Sequence, residues 1–387
     1  MKLFIITSRI PYPLEKGDKL RIFHQIRFLS EKFDIYLCAI NASKKPIHPE
    51  AKKELGKYCK EVHFVSLSYG GIIASLAKSI WNGLPFQTAL FTTCKAKNTV
   101  RNLIAEINPD YVYCHLSRAS EYVKHTSQPK TIDYMDAFSM GMYRRWKNSS
   151  APLKWLYAWE YKKQKKYEKS IFPFFDKHTI ITEQDRECID HIRKGEIEII
   201  RNGVDFEYFT DRVSNDNYDI VFVGNMSYPP NIDAAQYLCH EILPIIQQKR
   251  PQTSVLIAGT DPHKSVLALQ NEQVHISGWM EDIREAYAST KLFIAPMRIG
   301  TGLQNKLLEA MSMQKACITT NLANKALGAP KDAIYIAENA TDLANHCINL
   351  LDSEEERNLL AKKGKDFVQS QYSWQKTTEA LAKLFLD

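Results

Sequence analysis

The sequence predicts an α/β protein made of two doubly wound domains. Short β-branched runs alternate with longer amphipathic segments along the whole chain, which is typical of parallel sheets covered by helices on both faces. The chain has 387 residues, too many for one ordinary hydrophobic core, so two domains are expected. Hydrophobic residues make up 44% and charged residues 25% of the chain, as is usual in globular proteins.

Six strands are predicted in each half of the chain. In the first half they are Leu3–Thr7, Ile35–Ile40, Val62–Val65, Tyr111–His115, Thr131–Tyr134 and Thr179–Thr182. In the second half they are Asp219–Val223, Ser254–Ala258, Val274–Ile276, Leu292–Ala295, Ala316–Thr319 and Ala333–Ile336. A strand-like run ends at the Asn202-Gly203 turn signal, and a polar stretch follows. We therefore predict domains at residues 1–200 and 201–370.

The net charge of +7 is distributed unevenly. Residues 1–200 hold 33 Lys and Arg against 21 Asp and Glu, whereas residues 201–387 hold 18 against 23. The basic half indicates an anionic partner, and a nucleic acid, a membrane surface or a phosphorylated lipid would all qualify. Because the sequence has no aromatic-studded nucleic-acid motif or zinc finger, we expect no nucleic acid and favour peripheral contact with an anionic membrane.

The segment WEYKKQKKYEKSIFPFF, residues 159–175, allows two interpretations. It is either an amphipathic helix that faces a membrane or a solvated helix whose aromatic end packs inside. No apolar run approaches the roughly 20 residues that span a bilayer, and the N-terminus lacks the features of a signal peptide. The eight cysteines are scattered without a C-x-x-C pair, which argues against a disulfide framework and a zinc site. We expect a cytoplasmic protein or a peripheral one at the inner face of the cytoplasmic membrane.

The stretch PMRIGTGLQNKLLEAM, residues 296–311, leads from a predicted strand into a helix. Gly300 and Gly302 would let the backbone approach a ligand, and helix N-terminal amides bind phosphates. Arg298 and Lys306 supply positive charge for a diphosphate, and Glu309 could accept hydrogen bonds from a ribose diol. The alternative is a surface salt bridge between Lys306 and Glu309.

Two further strand ends carry candidate residues. Gly224 and Asn225 follow a strand, where they allow close approach of a phosphate or simply form a tight turn. His115 ends another strand, at the edge where open α/β sheets bind ligands, although a lone histidine is more often structural. Asp133 and Asp136 lie at the end of the next strand, with the same two interpretations.

The loop PYPLEKGDKLR follows the first strand and is not a G-x-G-x-x-G fingerprint. Gly17, Asp18, Lys19 and Arg21 form either a phosphate or acceptor loop or an ordinary βα connection in which Asp18 caps a helix. The sequence contains no Walker A motif, nucleophile elbow or H-E-x-x-H. It therefore favours nucleotide or sugar-phosphate chemistry, with no covalent nucleophile recognisable from the sequence.

The chain resembles the retaining glycosyltransferases of family four, which have two facing Rossmann-like domains in the GT-B arrangement. It is most similar to bacterial exopolysaccharide sugar transferases. The phrases that carry this resemblance are RIPYPLEKGDKLR, RNGVDFEYF, FVGNMSYPPNIDAA, GWMEDIREAYA, APMRIGTGLQNKLLEAMSM and YSWQKTTEALAKLF. The resemblance implies an acceptor-binding first domain, a donor-binding second domain and a last helix, within residues 371–387, that returns to the first domain.

By position, the resemblance implies that Glu309 holds the ribose hydroxyls while Arg298 and Lys306 neutralise the diphosphate. His115 corresponds to the active-site histidine near the transferred sugar. The other positions implied to bind the donor are Gly224, Asn225, Trp279, Met280, Gly302, Leu303 and Gln304. The loop with Gly17 and Asp18 would lie near the donor phosphate and the acceptor.

The chain departs from the broad family at two places. Thr301 stands where a first glutamate is usual, so the contact to the donor sugar is missing or comes from Gln304 or Asn305. Asn225 and Asn231 replace the usual Arg and Lys, so phosphate neutralisation falls on Arg298 and Lys306.

The implied reaction is transfer of a sugar from a nucleotide sugar to a glycan or lipid-diphosphate-linked glycan, with retention, no metal and no cofactor. The alternatives are a nucleotide-sugar epimerase of the same fold and a non-catalytic binding subunit.

Overall fold

The computed structural model describes residues 1–14, 16–43, 46–210, 217–300 and 303–386. The chain divides into two compact units. Unit 1 comprises Met1–Asn202 and Trp374–Asp387, and unit 2 comprises Gly203–Ser373. Both bounds lie a few residues beyond the sequence-based ones at 200 and 370. Among the described residues, no helix is both long enough and apolar enough to cross a bilayer.

Unit 1 contains a seven-stranded parallel sheet in the order β3-β2-β1-β4-β5-β6-β7. Its strands are β1 Lys2–Thr7, β2 Asp34–Asn41, β3 Glu61–Ser66, β4 Tyr111–His115, β5 Lys130–Asp133, β6 Lys177–Ile180 and β7 Ile197–Ile199. Leu3 and Phe4, on opposite faces of the central strand β1, are both fully buried. A strand buried on both faces must be apolar throughout, which explains the run LFII.

The helices of unit 1 cover both faces of this sheet. They are α1 Gly17–Leu29, α2 Ala51–Gly56, α3 Tyr69–Asn82, α4 Phe86–Ala89, α5 Cys94–Ile107, α6 Phe138–Asn148, α7 Leu153–Ile171 and α8 Glu183–Cys188. Local capping sets several ends: the side chains of Ser68 and Thr93 accept hydrogen bonds from the first turns of α3 and α5. Gly83 and Asn108 end the same helices in the left-handed conformation.

Unit 2 contains a six-stranded parallel sheet in the order β10-β9-β8-β11-β12-β13. Its strands are β8 Tyr218–Val223, β9 Val255–Ala258, β10 Val274–Gly278, β11 Thr290–Ala295, β12 Ala316–Thr319 and β13 Tyr335–Ile336. Its helices are α9 Pro229–Tyr237, α10 Leu243–Lys249, α11 Lys264–Leu267, α12 Arg284–Ala288, α13 Asn305–Ser312, α14 Asn321–Leu327, α15 Ala340–Asp352 and α16 Glu354–Gln371. A π-helical turn at Leu238–Ile242 joins α9 to α10.

The last helix, α17 (Trp374–Leu386), packs on unit 1, as predicted. The ring of Phe385 lies 5.1 Å from that of Tyr111 and 5.3 Å from that of Tyr113. The indole of Trp374 stacks on the His24 ring at 5.0 Å. The helix therefore completes one face of the core of unit 1, although it follows unit 2 in the chain.

Every predicted strand overlaps a strand of the structure, and β7 is the additional one. The prediction of two doubly wound parallel sheets is therefore confirmed. Parallel pairing places Thr7 beside His115 and His115 beside Asp133, at the carboxyl ends of β1, β4 and β5. In unit 2 the strands β8 and β11 are paired neighbours, so the loops that follow them leave the same edge of the sheet.

Candidate functional site

In unit 2, the turn from β11 to α13 positions Lys306 and Glu309 on one side of the helix. Both lie in the first turns of α13, where the amphipathic pattern NKLLEAMS buries Leu307 and Leu308 in the core. The hydroxyl of the fully buried Tyr287 donates to Glu309 Oε2 at 2.7 Å. This bond fixes one carboxylate oxygen and leaves Oε1 as an acceptor for a ligand. Burial raises the pKa of Glu309, against the opposing effects of Tyr287 and Lys306.

The ammonium of Lys306 is held by an amide chain rather than by Glu309. Lys306 Nζ donates to Asn231 Oδ1 at 2.6 Å, and Asn231 Nδ2 donates to the carbonyl oxygen of Asn225 at 2.8 Å. The ammonium also lies 4.4 Å from the centre of the Phe222 ring. The structure therefore does not support the predicted alternative of a salt bridge between Lys306 and Glu309. Lys306 bonds Asn231, and Glu309 bonds Tyr287.

Burial lowers the pKa of Lys306 to about 7, and Glu309 opposes the shift only in part. The desolvated ammonium has an amide oxygen as its partner instead of a carboxylate, so its charge is incompletely compensated. An anion that reached Nζ would supply the missing negative charge. Lys306 is thus suited to bind a phosphate and would gain a proton in doing so.

Gly224 lies where the side chains of Asn231 and Lys306 meet the backbone. A Cβ atom at this position would be 2.7 Å from Asn231 Nδ2 and 3.0 Å from Lys306 Nζ. Gly259, at φ +136°, packs closely against Gly224. A Cβ atom added at position 259 would lie 1.8 Å from the Gly224 carbonyl oxygen. The structure thus requires glycine at both positions for the protein's own packing, and the predicted approach of a phosphate to Gly224 stays a prediction.

Asn225 forms a local turn. Its Oδ1 accepts hydrogen bonds from the backbone N–H of Ser227 at 2.9 Å and from the Ser227 hydroxyl at 2.7 Å. Its side chain therefore stabilises the β8–α9 connection, which agrees with the tight-turn alternative. The Asn225 carbonyl in turn orients Asn231 and so acts on Lys306 indirectly.

Arg298 is exposed and already paired with carboxylates. Its Nη2 and Nε contact the two carboxylate oxygens of Asp233 at 2.8 and 3.2 Å, and its Nη1 lies 3.1 Å from Glu241 Oε1. The guanidinium stacks 4.0 Å from the centre of the Tyr237 ring. These contacts offset its charge, so a role in neutralising a diphosphate requires the ion pairs to open, and that role stays a prediction.

The other donor-side positions are spread over two loops. Gly300 has φ +115°, a conformation that favours glycine, and Leu303 packs against the core of unit 2. Gln304 precedes α13, and the Oδ1 of Asn305 is buried without a hydrogen-bond partner in the described part of the chain. Thr301 and Gly302 lie outside the described residues. After β10, Trp279 is exposed whereas Met280 packs partly on the core, so the indole is the freer of the two surfaces.

In unit 1, His115 ends β4 in a buried position. Its Nε2 has no hydrogen-bond partner among the described residues. Burial lowers the pKa of His115 to about 4, against the effect of the nearby carboxylates of Asp133 and Asp18. The imidazole is therefore neutral near pH 7, with a buried nitrogen that has hydrogen-bonding capacity to spare. The next residue, Leu116, has φ +74°, so the chain turns sharply directly after the histidine.

Arg21 was predicted in a ligand loop, and the structure corrects this. Its guanidinium is fully buried, with Nε and Nη2 bonded to the two oxygens of Asp133 at 2.7 and 3.3 Å and Nη1 bonded to Asn202 Oδ1 at 2.9 Å. Tyr113 and Thr179 donate hydroxyl hydrogens to the same carboxylate at 3.1 and 3.0 Å. Arg21 points inward because Asp133 requires a partner at the centre of the sheet.

At the start of α1, Asp18 lies between the partly exposed Arg9 and the buried Arg118. Asp18 Oδ2 pairs with Arg9 Nη1 at 2.7 Å and lies 3.8 Å from Arg118 Nη2. A narrow recess beside this pair is lined by Ser8, Arg9, Asp18, Lys19, Ile22 and His115. The Oγ of Ser8 is, like His115 Nε2, buried and without a partner there. Gly17 is the first residue of α1, with ordinary space around its Cα.

Arg118, which follows β4, and Asp136, which follows β5, continue this edge of the sheet. Arg118 is sandwiched between the rings of Phe91 and Phe138, at 4.9 and 4.7 Å, and its Nε has no partner among the described residues. Burial, together with Asp185 and Glu168, raises the pKa of Asp136 to about 7. Its Oδ1 is also buried, and none of the residues that the structure describes bonds to it. Four buried polar atoms at this edge therefore lack a hydrogen-bond partner within the described ranges, and they belong to Ser8, His115, Arg118 and Asp136. Buried polar groups are normally hydrogen-bonded, so this edge is suited to a polar ligand.

Sequence reasoning missed several residues of these sites. Tyr287 and Asn231 hold Glu309 and Lys306, and Asp233 and Glu241 engage Arg298. Asn231 attracted notice only as a departure from the family. The sequence carries no signal for the others, because each contact joins segments more than 20 residues apart.

The second half of the chain matches a known family model. Residues 217–353 match the family model described as Glycosyl transferases group 1. An uncharacterised 44.6 kDa protein in the cps region of Klebsiella pneumoniae is 24% identical over 403 residues, covering 99% of each chain. The match to residues 217–353 contains the strand ends of unit 2 that carry Gly224, Lys306 and Glu309.

Two solved structures share the fold at low sequence identity. Anabaena Alr3699/HepE, in complex with UDP and glucose, has a TM-score of 0.69 and 13% identity over 99% of both chains. A putative UDP-N-acetylglucosamine 2-epimerase from Listeria monocytogenes has a TM-score of 0.58 and 14% identity over 98% of this chain and 94% of its own. The chain has the GT-B fold, and its residues 217–353 match the group 1 glycosyl transferases.

Proposed function

We propose that the chain is a retaining glycosyltransferase that moves a sugar from a nucleotide-sugar donor to a glycan or lipid-diphosphate-linked glycan in surface polysaccharide biosynthesis. The observation that carries this proposal is the pair Lys306 and Glu309 at the start of α13, each held by its own partner. The group 1 glycosyl transferase match and the relative in a cps region support it.

The donor contacts follow from the chemistry of these two groups. The diphosphate binds at the N-terminal amides of α13 and at Lys306, because both supply positive charge without a metal ion. Glu309 accepts hydrogen bonds from the ribose hydroxyls through the oxygen that Tyr287 leaves open. The base stacks near Trp279, whose indole is exposed.

In the transfer, the bond between the anomeric carbon and the diphosphate oxygen breaks, and the acceptor oxygen bonds to that carbon on the same face. The acceptor's proton passes to the departing diphosphate, so the products are the glycoside and a nucleoside diphosphate. His115, neutral at pH 7, orients a sugar hydroxyl through Nε2 instead of forming a covalent bond. Lys306 stabilises the charge that develops on the leaving group.

The test is a thermal-shift panel of UDP-, GDP-, dTDP- and CMP-sugars with the wild type, Glu309→Ala and the distant control Glu355→Ala. A ligand at a hundred times its dissociation constant stabilises by about 2.7 kcal/mol, which is readily measured. We expect one nucleotide class to stabilise the wild type and the control but not Glu309→Ala. A folded wild type that responds to none of the panel would contradict the proposal and favour a non-catalytic binding subunit.

The epimerase alternative is separated by the products. A transferase releases free nucleoside diphosphate only when an acceptor is present, whereas an epimerase changes the sugar without an acceptor. The same assay with a chelating agent tests metal independence, which we expect because the cationic side chain and helix amides carry the leaving-group charge.

A further inference from the structure

Two helices of unit 1 expose large apolar side chains that the core does not use. We call them the α3–α7 surface, and they are Tyr69, Ile73, Ile80 and Trp81 of α3 with Leu153, Trp155, Leu156 and Trp159 of α7. Trp81 is 82% and Trp155 78% exposed. In α3 only Ser79 is buried, although the helix carries a single charged residue, Lys78. An apolar helix with an unburied face indicates a partner.

The two helices are in contact where α3 ends. Lys163 Nζ of α7 donates to the carbonyl oxygen of Ser79 in α3 at 2.6 Å. The same ammonium lies 3.8 Å from the centre of the Trp159 ring, and the Phe86 ring is 4.9 Å from Trp159. The C-terminal turn of α3, which carries Trp81, therefore adjoins the exposed first half of α7.

The charges next to this surface are positive. In α7 the two acidic residues, Glu160 and Glu168, are buried, and Glu160 accepts hydrogen bonds from the backbone of α4. The exposed charged residues of α7 are the lysines at positions 154, 162, 166 and 169. Aromatic and basic residues share one face of α7, because successive members of the series Trp155, Trp159, Lys162 and Lys166 are four, three and four residues apart.

A groove of about 520 Å³ is lined by other residues of the same two helices, among them Lys78 of α3 and Lys166 of α7. Its basic lining residues, which include members of both helices, are Lys78, Lys95, Lys97, Lys124 and Lys166. The acidic residue in the lining, Glu121, is already bonded by Lys97 at 2.8 Å and by Lys124 at 2.5 Å. Three lysines thus face the groove in excess of this ion-paired group, and the net charge suits lipid phosphates.

We propose that the α3–α7 surface docks unit 1 on an anionic lipid bilayer. The tryptophans lie at the level of the headgroups, the isoleucines of α3 reach the acyl boundary, and the lysines contact lipid phosphates. The surface overlaps the lysine-rich segment considered in the sequence at Trp159 and the exposed lysines of α7, and it extends beyond that segment to α3 and the start of α7. The aromatic end of the segment packs inward at Ile171 and Phe172 and takes no part in it. The proposal does not rest on the proposed activity, because binding is measured without substrates.

The test is sedimentation of the full chain with phosphatidylcholine vesicles, with and without phosphatidylglycerol. The surface variant is Ile73→Gln with Trp81→Gln and Trp155→Gln. Its matched control is Ile192→Gln with Leu359→Gln, which changes exposed apolar residues outside the surface. We expect the wild type and the control to bind anionic vesicles, and the surface variant to bind about tenfold more weakly.

Fluorescence gives a second readout that does not depend on the folding of the surface variant. Lipids with brominated acyl chains should quench the wild type, and Trp81→Phe with Trp155→Phe should lose most of that quenching. Wild-type protein that stays in the supernatant with anionic vesicles would overturn the proposal. A wild-type dimer that the surface variant converts to a monomer, with unchanged vesicle binding, would also overturn it and assign the surface to a second copy.

Discussion

Binding of the nucleotide sugar should weaken as the pH rises above 7, because Lys306 must be protonated to hold the diphosphate. In the free protein, burial lowers the pKa of this ammonium to about 7. The bound diphosphate stabilises the charged form, so the pKa is higher in the complex. Binding therefore takes up a proton between these two pKa values, and the affinity is constant below the lower value and above the higher one.

The size of the effect follows from the free-state pKa. At pH 8, about one molecule in eleven of the free protein carries a charged Lys306, so the dissociation constant should be about tenfold larger than at acid pH. This corresponds to about 1.4 kcal/mol of binding free energy per pH unit. The diphosphate of a nucleotide sugar keeps a constant charge over this range. The pH dependence of the dissociation constant should therefore arise from the protein.

Isothermal titration calorimetry between pH 6 and 9, in buffers of different ionisation enthalpy, measures both the affinity and the proton uptake. Lys306→Met should bind more weakly, with a dissociation constant that does not change with pH. Lys362→Met, a change at an exposed lysine of α16, should behave as the wild type. A flat wild-type profile, or a slope that persists in Lys306→Met, would refute the assignment of Lys306 as the titrating phosphate ligand.

Three further predictions concern stability. Asp133→Ala should destabilise unit 1 by about 3–5 kcal/mol in urea unfolding, since it leaves a buried guanidinium unpaired, while Arg193→Met, which removes an exposed ion pair, should leave the unfolding midpoint nearly unchanged. Between pH 6.5 and pH 4 the unfolded chain binds a proton at His115 that the native state does not, so stability should fall by up to about 3 kcal/mol as the pH is lowered, and His115→Gln should flatten that part of the profile. Phe385→Ala in α17 should cost about 3–5 kcal/mol, whereas the exposed Leu386→Ala should be nearly neutral; equal melting temperatures for the two variants would contradict the packing of α17 on unit 1.

Much of the candidate site was visible in the sequence because it is local. Lys306 and Glu309 lie three residues apart, so a helix must place them on one side, and the strand before them must end at the carboxyl edge of a parallel sheet. The same reasoning selected His115 and Gly224, which also follow strands. Strand ends are readable from a single segment, and doubly wound sheets put their ligand sites there.

The partners of these residues were not visible. Arg21 reads as a loop cation, yet it pairs with Asp133 at a separation of 112 residues. Arg298 reads as a free phosphate ligand, yet α9 and the π-helical turn supply two carboxylates to it. Whether a charged side chain faces a ligand or the protein depends on which groups the fold brings within hydrogen-bond distance.

The sequence by itself determined the fold class, the strands and the position of the boundary between the two halves, since periodicity and turn residues act within a few residues of one another. Only the tertiary structure decided that Tyr287 and Asn231 orient Glu309 and Lys306, that Arg21 is buried and that α3 leaves an apolar face uncovered. These features depend on contacts between distant segments, and burial and charge compensation arise only when such segments meet.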